Sequence, residues 1–357
     1  MLEESWRERM ATKALSESAS PLISIIVLNW NGGDDTHGCL ASMQGLTYPN
    51  FTVLLVDNGS TDDSLARARA ATWEFPLRII ENGANLGFAE GNNVGIRAAL
   101  ESGADYVMLL NNDTEIAPDC LDRLMDVAVA RPEAGILGPR IFYMDPPDVA
   151  WFDRAAWNPA NLRFDFPGQG DKEYGLPTEP METEYVCGAA MLFRAEVARK
   201  IGLLDSRFFL VYEESDWGFA ARRAGYACLT VPAAKVWHKI GASFGSEESP
   251  LRAYFSTRNH LLWVEKNRGK DELLRDVRNT LTNVFPSLGL SREAAPFPKR
   301  LLWGLREFGC DWKRLAVNPH IRARRRGLRD YLTRRFGDCP DEVRAWSRAW
   351  TAKQQNE

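Results

Sequence analysis

The stretch YVMLLNNDTEIAPD, residues 106–119, opens with five residues suited to a buried strand and turns polar at Asn111, Asn112 and Asp113. Asn and Asp commonly end strands because their side chains hydrogen-bond the local backbone and favour turns, so one reading of the triplet is a loop and nothing more. The other is that a strand carries two amides and a carboxylate to the mouth of a cleft. The other strands decide between them.

Working outward, ISIIVLN (23–29), FTVLLVD (51–57), LRIIEN (77–82) and YVMLLNND (106–113) are short runs rich in Val, Ile and Leu, separated by stretches long enough for crossover helices. Continuously apolar strands belong to a parallel sheet covered on both faces, and the alternation predicts an α/β, doubly wound, mostly parallel fold. In such a sheet whatever follows each strand gathers along one edge, where open α/β sheets bind ligands. Asn29, Asp57, Asn82 and Asp113 therefore share a rim. Four polar strand ends favour a site over coincidence.

The ligand is constrained by what the rim lacks. After the first strand, NWNGGDD supplies neither the GxGxxG of a dinucleotide fold nor a Walker phosphate loop. The same loop carries two Asp and no Lys or Arg, which disfavours a nucleotidyltransferase cradling a triphosphate. Carboxylates sit near phosphate only through a divalent cation that bridges the two anionic groups. The pattern points to a metal-bound nucleotide diphosphate.

Beyond the fourth strand, residues 146–181 are rich in Pro, Gly and aromatics without a clear period and read as a long, functional loop. YVCGAAMLFR reads as a strand, ESDWGFAARRAGY as a helix ended by Gly225, and ACLTVPAAKVWHKIG as a strand and loop. From Leu251 helical patterns dominate.

Of the 357 residues, 45% are hydrophobic and 26% charged, a soluble globular composition in which no run is long enough to span a membrane. The first twenty residues are charged and lack an apolar signal core, so the protein is expected to stay in the cytoplasm. Cysteines 39, 120, 187, 228, 310 and 339 show no zinc-type spacing and read as reduced structural thiols. Net charge is −4, yet Lys299 to Arg335 holds twelve basic residues against three acidic ones. The wider segment from Leu281 to Phe336 interleaves VFPSLGL, FPKRLLWGLREF and IRARRRGLRDYLTRRF, a pattern of interfacial helices, and is expected to dock peripherally on an anionic membrane surface. A solvated face packed on the rest of the protein is the competing reading. Nucleic acid is not an expected partner.

The ordered blocks SIIVLNWNG, VDNGSTDDS, NLGFAEGNNVG, LLNNDT, CGAAMLFR, FFLVYEESDWGFAARRAGY, VWHKIGASFG and YFSTRNHLLWVEKN together resemble the inverting glycosyltransferases of family 2, with the GT-A fold. The later blocks are most similar to rhamnosyltransferase-type members that build bacterial surface glycans. The resemblance covers about residues 21–265, a GT-A domain, and leaves on either side the charged, flexible lead-in over 1–20 and the helical, basic extension over 266–357. It divides the GT-A domain into a nucleotide half, 21–115, and an acceptor half, 116–265.

Carried over by position, the resemblance assigns donor binding to Asn29 and Asp57 at the base and ribose, and to Asn93 in GNNVG. NND matches the DXD motif: Asp113 would bind Mg2+ or Mn2+, while Asn111 and Asn112 replace the earlier acidic position and its neighbour. His238, in VWHKIG, occupies the block of the family's metal-binding histidine, and imidazole suits such metals. Glu213, Glu214 and Asp216 form an acidic cluster that could be only the negative first turn of a helix. In the family this motif ends in the general base, a position held here by Glu214 where Asp is usual, with Glu213 the alternative.

The reaction so implied moves a sugar, rhamnose foremost, from a nucleotide diphosphate sugar to a hydroxyl of a glycan or lipid-linked acceptor in surface polysaccharide synthesis, with inversion. A hydrolase would need a pair of carboxylates flanking the bond, and no second such motif is seen. A nucleotidyltransferase and a non-catalytic nucleotide- or glycan-binding module are the alternatives.

Overall fold

The computed structural model describes residues 20–239, 249–285 and 317–354. The lead-in, the FPKRLLWGLREF stretch, most of VFPSLGL and Cys310 lie outside the described residues. The chain divides into two compact units, one drawn from Met1–Asn158, Arg163–Leu204 and Trp217–Ile240, the other from Pro159–Leu162, Asp205–Asp216 and Gly241–Glu357.

The first unit is built on β1 (Ile23–Asn29), β2 (Phe51–Asp57), β3 (Leu77–Glu81) and β4 (Tyr106–Asn111), linked by α1 (Gly33–Ser42), α2 (Ser64–Ala70) and α3 (Gly87–Glu101). These strands run parallel in the order β3-β2-β1-β4. Their continuous apolar runs reflect burial on both faces. Ile25, Val27, Val53, Leu55, Met108 and Leu110 enter one core cluster, and the intervening Ile26, Leu54, Val56, Val107 and Leu109 enter another. The alternation of side chains along a strand divides them this way.

Beyond β4 the sheet becomes mixed. β5 (Thr114–Ile116) follows directly, and α4 (Cys120–Ala130) leads to β6 (Ala134–Tyr143). β11 (Ala190–Arg194) lies antiparallel between β4 and β6, while β12 (Ala227–His238) runs parallel to β6. β5 and β10 (Met181–Glu182) pair antiparallel with β12. The helices α5 (Ala195–Ile201) and α6 (Glu213–Arg223) follow β11, and the left-handed Gly225 stands just past the end of α6 as the sequence indicated.

The loop expected over 146–181 needs correction. It contains β7 (Ala150–Phe152), paired with β6, and a hairpin of β8 (Ala156–Asn158) and β9 (Arg163–Asp165). Strands of three residues are too short for alternation to register. The aromatics that suggested loop composition are packing groups: Phe164 meets Tyr185 and Phe219 edge-on, at centroid distances of 4.9 and 6.0 Å. Arg140 on β6 and Asp153 form an almost fully buried ion pair at 2.6 Å, and Arg140 also donates to the Pro177 carbonyl.

The second unit contains α7 (Pro250–Asn267), α8 (Lys270–Val284), α9 (Pro319–Leu332) and α10 (Asp341–Gln354). Ser249 and Asn318 cap α7 and α9 through their side chains, each followed by proline at the helix start. α9 crosses α7 closely at Gly327, where a Cβ would stand 2.6 Å from the Tyr254 carbonyl oxygen. Phe209, Tyr254, Phe255, Ala323, Cys339 and Val343 form the core of this unit. No helix among the described residues is long and apolar enough to cross a membrane. The five described cysteines are free and buried, and burial pushes the Cys39, Cys228 and Cys339 thiols up to about 12.

Candidate active site

In the first unit, parallel pairing aligns Asn29 with Asp57 and Asp57 with Glu81, so three strand ends meet in register at one rim. Asn29 is fully buried there. Its Nδ2 donates to Asp57 Oδ1 at 2.8 Å and reaches Ser64 Oγ at 2.9 Å and Ser60 Oγ at 3.0 Å. Its Oδ1 accepts from Thr36 Oγ1 at 2.6 Å. Asn112 Nδ2 in turn donates to Thr36 Oγ1 at 2.8 Å. One hydrogen-bonded chain therefore runs from Asn112 through Thr36 and Asn29 to Asp57, whose Oδ2 accepts the Gly59 and Ser60 backbone N–H groups.

Such a chain requires close approach of the loop after β1. A Cβ on Gly32 would lie 2.1 Å from both Asn112 Nδ2 and Thr36 Oγ1, so glycine is a steric necessity at that position. Asn93 is placed differently. Its side chain exchanges hydrogen bonds with the Leu204 backbone, 2.9 Å from Nδ2 to O and 3.0 Å from N to Oδ1, and also donates to Glu90. Asn111 contributes its backbone to the turn, its carbonyl accepting from Thr114 Oγ1 at 2.6 Å.

Asp113 follows that turn, and the register of β5 explains its surroundings. β5 pairs with the end of β12 so that Thr114 faces His238, and the Lys239 N–H donates to the Asp113 carbonyl at 2.9 Å. This brings the Asp113 carboxylate to His238: Oδ1 and Nε2 are 3.0 Å apart, and both residues are buried. Trp151 packs against the imidazole at 4.7 Å, and the ring's Nδ1 has no hydrogen-bond partner among the described residues. Nearby, Lys239 pairs with Asp35 at 2.8 Å.

An oxygen and an imidazole nitrogen at this spacing suit a divalent cation, since two adjacent ligands about 2.1 Å from an octahedral ion lie about 3 Å apart. No cluster of three or more His, Cys, Asp or Glu side chains able to hold a metal occurs among the described residues. Two protein ligands leave positions for water and phosphate oxygens, the usual manner of Mg2+ at nucleotide sites.

The acidic cluster belongs at the start of α6, and its three members differ. Asp216, in the second unit, is neutralised: Lys266 Nζ lies 2.5 Å from Oδ2 and Asn267 Nδ2 donates to Oδ1 at 2.8 Å. Lys266 also pairs with Asp205, whose carboxyl is held below its usual range. Burial there would raise it, but hydrogen bonds from Arg207 and Lys266 prevail. Glu213 is buried with Oε2 lacking a hydrogen-bond partner among the described residues. Burial, then the adjacent Glu214, raises its carboxyl well above the ordinary value.

Residues 24–202 match the family model for glycosyl transferase family 2. The chain belongs to this family. Among curated relatives of this glycosyltransferase, the N-acetylglucosaminyl-diphospho-decaprenol L-rhamnosyltransferase of Mycobacterium tuberculosis is 27% identical over 273 residues, covering 70% of the chain and 86% of the relative. The dTDP-rhamnosyl transferase RfbF of Shigella flexneri is 25% identical, covering 62% and 73%. Two solved structures share the fold at 15% identity. GalNAc-T7, solved with UDP, GalNAc and Mn2+, has a TM-score of 0.58 and covers 84% of the chain, which spans 57% of that protein. The mannosyltransferase PcManGT of Pyrobaculum calidifontis, with GDP-Man and Mn2+, scores 0.52 and covers 89% and 88%.

Within this glycosyltransferase, sequence reasoning missed Thr36, Ser60 and Ser64, the hydroxyls that complete the rim. All three stand in the blocks NGGDDT and GSTDDS after β1 and β2, but Ser and Thr are routine turn residues and nothing local marks their targets.

Proposed function

We propose that this glycosyltransferase is a metal-dependent, inverting enzyme. It would move a sugar, rhamnose foremost, from a nucleoside diphosphate carrier to a hydroxyl of a glycan or lipid-linked acceptor. The observation that carries the reading is the Asp113–His238 pair: two metal-ligand side chains, 125 residues apart in sequence, are buried together at 3.0 Å. The names of the mycobacterial and Shigella relatives support rhamnose and, for the former, a polyprenyl-diphosphate acceptor. The Mn2+ in the two structural neighbours supports the cation.

Asp113 and His238 would hold Mg2+ or Mn2+, which supplies charge neutralisation for a departing diphosphate. The loops beyond β1 and β2 bind the nucleoside, with the Asn29–Asp57 hydrogen bonds keeping them in shape. Glu214 takes the proton of the acceptor hydroxyl as it attacks the anomeric carbon. Surface-glycan synthesis, a cytoplasmic location and a peripheral hold on the membrane complete the proposal.

The test is a panel of nucleotide sugars scored for thermal stabilisation with Mn2+ or Mg2+, followed by transfer to a polyprenyl-diphosphate-linked GlcNAc. Stabilisation by dTDP-rhamnose with a divalent cation and loss of transfer in Glu214→Gln are expected, a general base contributing about 10²- to 10⁴-fold. Undiminished transfer in excess EDTA would sink the metal reading, and loss confined to Glu213→Gln would move the base by one residue.

A further inference from the structure

The turn immediately before α6 is strained. Phe209, Val211 and Tyr212 have φ of 64°, 65° and 78°, in the left-handed region that side-chain-bearing residues rarely occupy. For the β-branched Val211 this is a marked departure, and such conformations persist only where surrounding structure over-determines them. Here the surrounding structure is α7. The buried Asn259 directs a single Nδ2 at three carbonyls of the turn, Phe208 and Leu210 at 2.7 Å and Val211 at 3.0 Å. Arg258 backs it from the preceding position: Nε donates to Asn259 Oδ1 at 2.9 Å and Nη2 to the Phe208 carbonyl at 3.0 Å. Next along the helix, His260 Nδ1 lies 3.1 Å from the Tyr212 hydroxyl.

Strand or helix pairing would satisfy these carbonyls without strain. The chain instead places an amide, oriented by a fully buried guanidinium, where it can engage three consecutive-turn oxygens at once. The Tyr212 carbonyl then accepts from the Asp216 N–H at 2.9 Å, the hydrogen bond with which α6 begins. The direction in which Glu213 and Glu214 leave the turn is therefore set by torsions that Asn259 holds in place.

We propose that Asn259 is a positioning residue for the Glu213–Glu214 pair, acting by clamping residues 208–212 in their left-handed turn. The role in transfer rests on the reading of Glu214 as base, whereas the clamp itself does not. Arg258 orients the clamp and is too deeply built into the core to serve as a clean probe. Asn259→Asp is the informative change, because it keeps shape and replaces the donor by an acceptor that repels the carbonyls.

Hydrogen exchange on the full-length chain tests the clamp without any substrate. In Asn259→Asp, amides within 208–216 are expected to exchange at least about tenfold faster while those of β1, β2 and β4 keep their wild-type rates, a local rather than global opening. Unchanged exchange in 208–216 would overturn the proposal. Transfer kinetics then use the donor and acceptor that serve the wild type. A fall in kcat of roughly 10²-fold with donor KM nearly constant is expected for a displaced base. Adding Val211→Gly, which accepts φ near 65° without strain, should recover part of that kcat. A matched rise in KM, or no recovery with glycine, would show a merely structural residue. If Glu214→Gln and Glu213→Gln both retain transfer, the base assignment fails by itself, and the exchange experiment still judges the clamp.

Discussion

Asp113 and His238 each had a local reason to be elsewhere, the one as a turn former and the other as a packed ring beside Trp237. Their placement at 3.0 Å yields a direct expectation. Mn2+ with a nucleoside diphosphate should raise the melting temperature of the wild type, since a ligand at about 100 times its Kd adds about 2.7 kcal/mol. Asp113→Asn should abolish that rise with little effect on the unliganded melt. Calorimetry showing equal stabilisation of both proteins would remove Asp113 from the site. Glu213 gives a pH dependence. Its folded-state pKa is raised above the usual 4.5, so the native state binds the proton more tightly, and the protonated form's contribution is full below about 4.5 and is lost as pH rises through the folded value. Glu213→Gln should therefore flatten the decline in stability on the alkaline side of 4.5 and gain most relative to wild type at high pH, as urea unfolding across pH would record. The sequence identified these acids as a cluster. Which one pairs with Lys266 and which has its carboxyl raised by burial depends on surroundings that no local pattern encodes.

At the scale of elements, β1 and β2 end where the apolar runs end, at Asn29 and Asp57, because continuous Val, Ile and Leu leave no other way to cover both faces of the sheet. The loop after β1 is a sharper case. Gly32 has φ of −85°, which any residue adopts, so the whole effect of Gly32→Ala is steric. It should destabilise by about 1–3 kcal/mol and weaken nucleotide binding by displacing Asn112 and Thr36. Gly33→Ala, at φ of 43° where a Cβ would meet only Asp62 Oδ2 at an ordinary 3.7 Å, should cost about 1 kcal/mol and spare binding. The reverse order in denaturant midpoints and nucleotide affinity would refute the close-packed loop. Beneath the region misread as loop, Arg140→Met would leave the buried Asp153 carboxylate unpaired and cost about 3–5 kcal/mol. Adding Asp153→Leu should return most of that, and a double variant as unstable as the single would mean that the pair is more than a compensated charge.

For the whole molecule, the basic tail reads differently after folding. On α9, Ile321, Leu328 and Tyr331 are buried, Arg326 pairs with Asp330 and Glu342, and Arg322 lies 4.5 Å over the Trp346 ring. Arg324, Arg325, Arg329 and Arg335 remain exposed. If these face an anionic leaflet, each contributes about 1 kcal/mol, and sedimentation with phosphatidylglycerol vesicles should weaken with salt and with Arg324→Glu plus Arg329→Glu. Binding equal to neutral and anionic vesicles, or to neither, would eliminate electrostatic docking. The sequence by itself determined the parallel half of the sheet, the polar rim at its strand ends, the helix ended by Gly225 and the family, because apolar runs, turn residues and ordered motifs are properties of neighbouring residues. Only the tertiary structure decided partnership: Asn29 with Asp57, Asp113 with His238, and Asn259 with the carbonyls before α6. Each joins residues at least 28 positions apart, and a hydrogen bond across such a separation exists only once the chain has folded to bring donor and acceptor together.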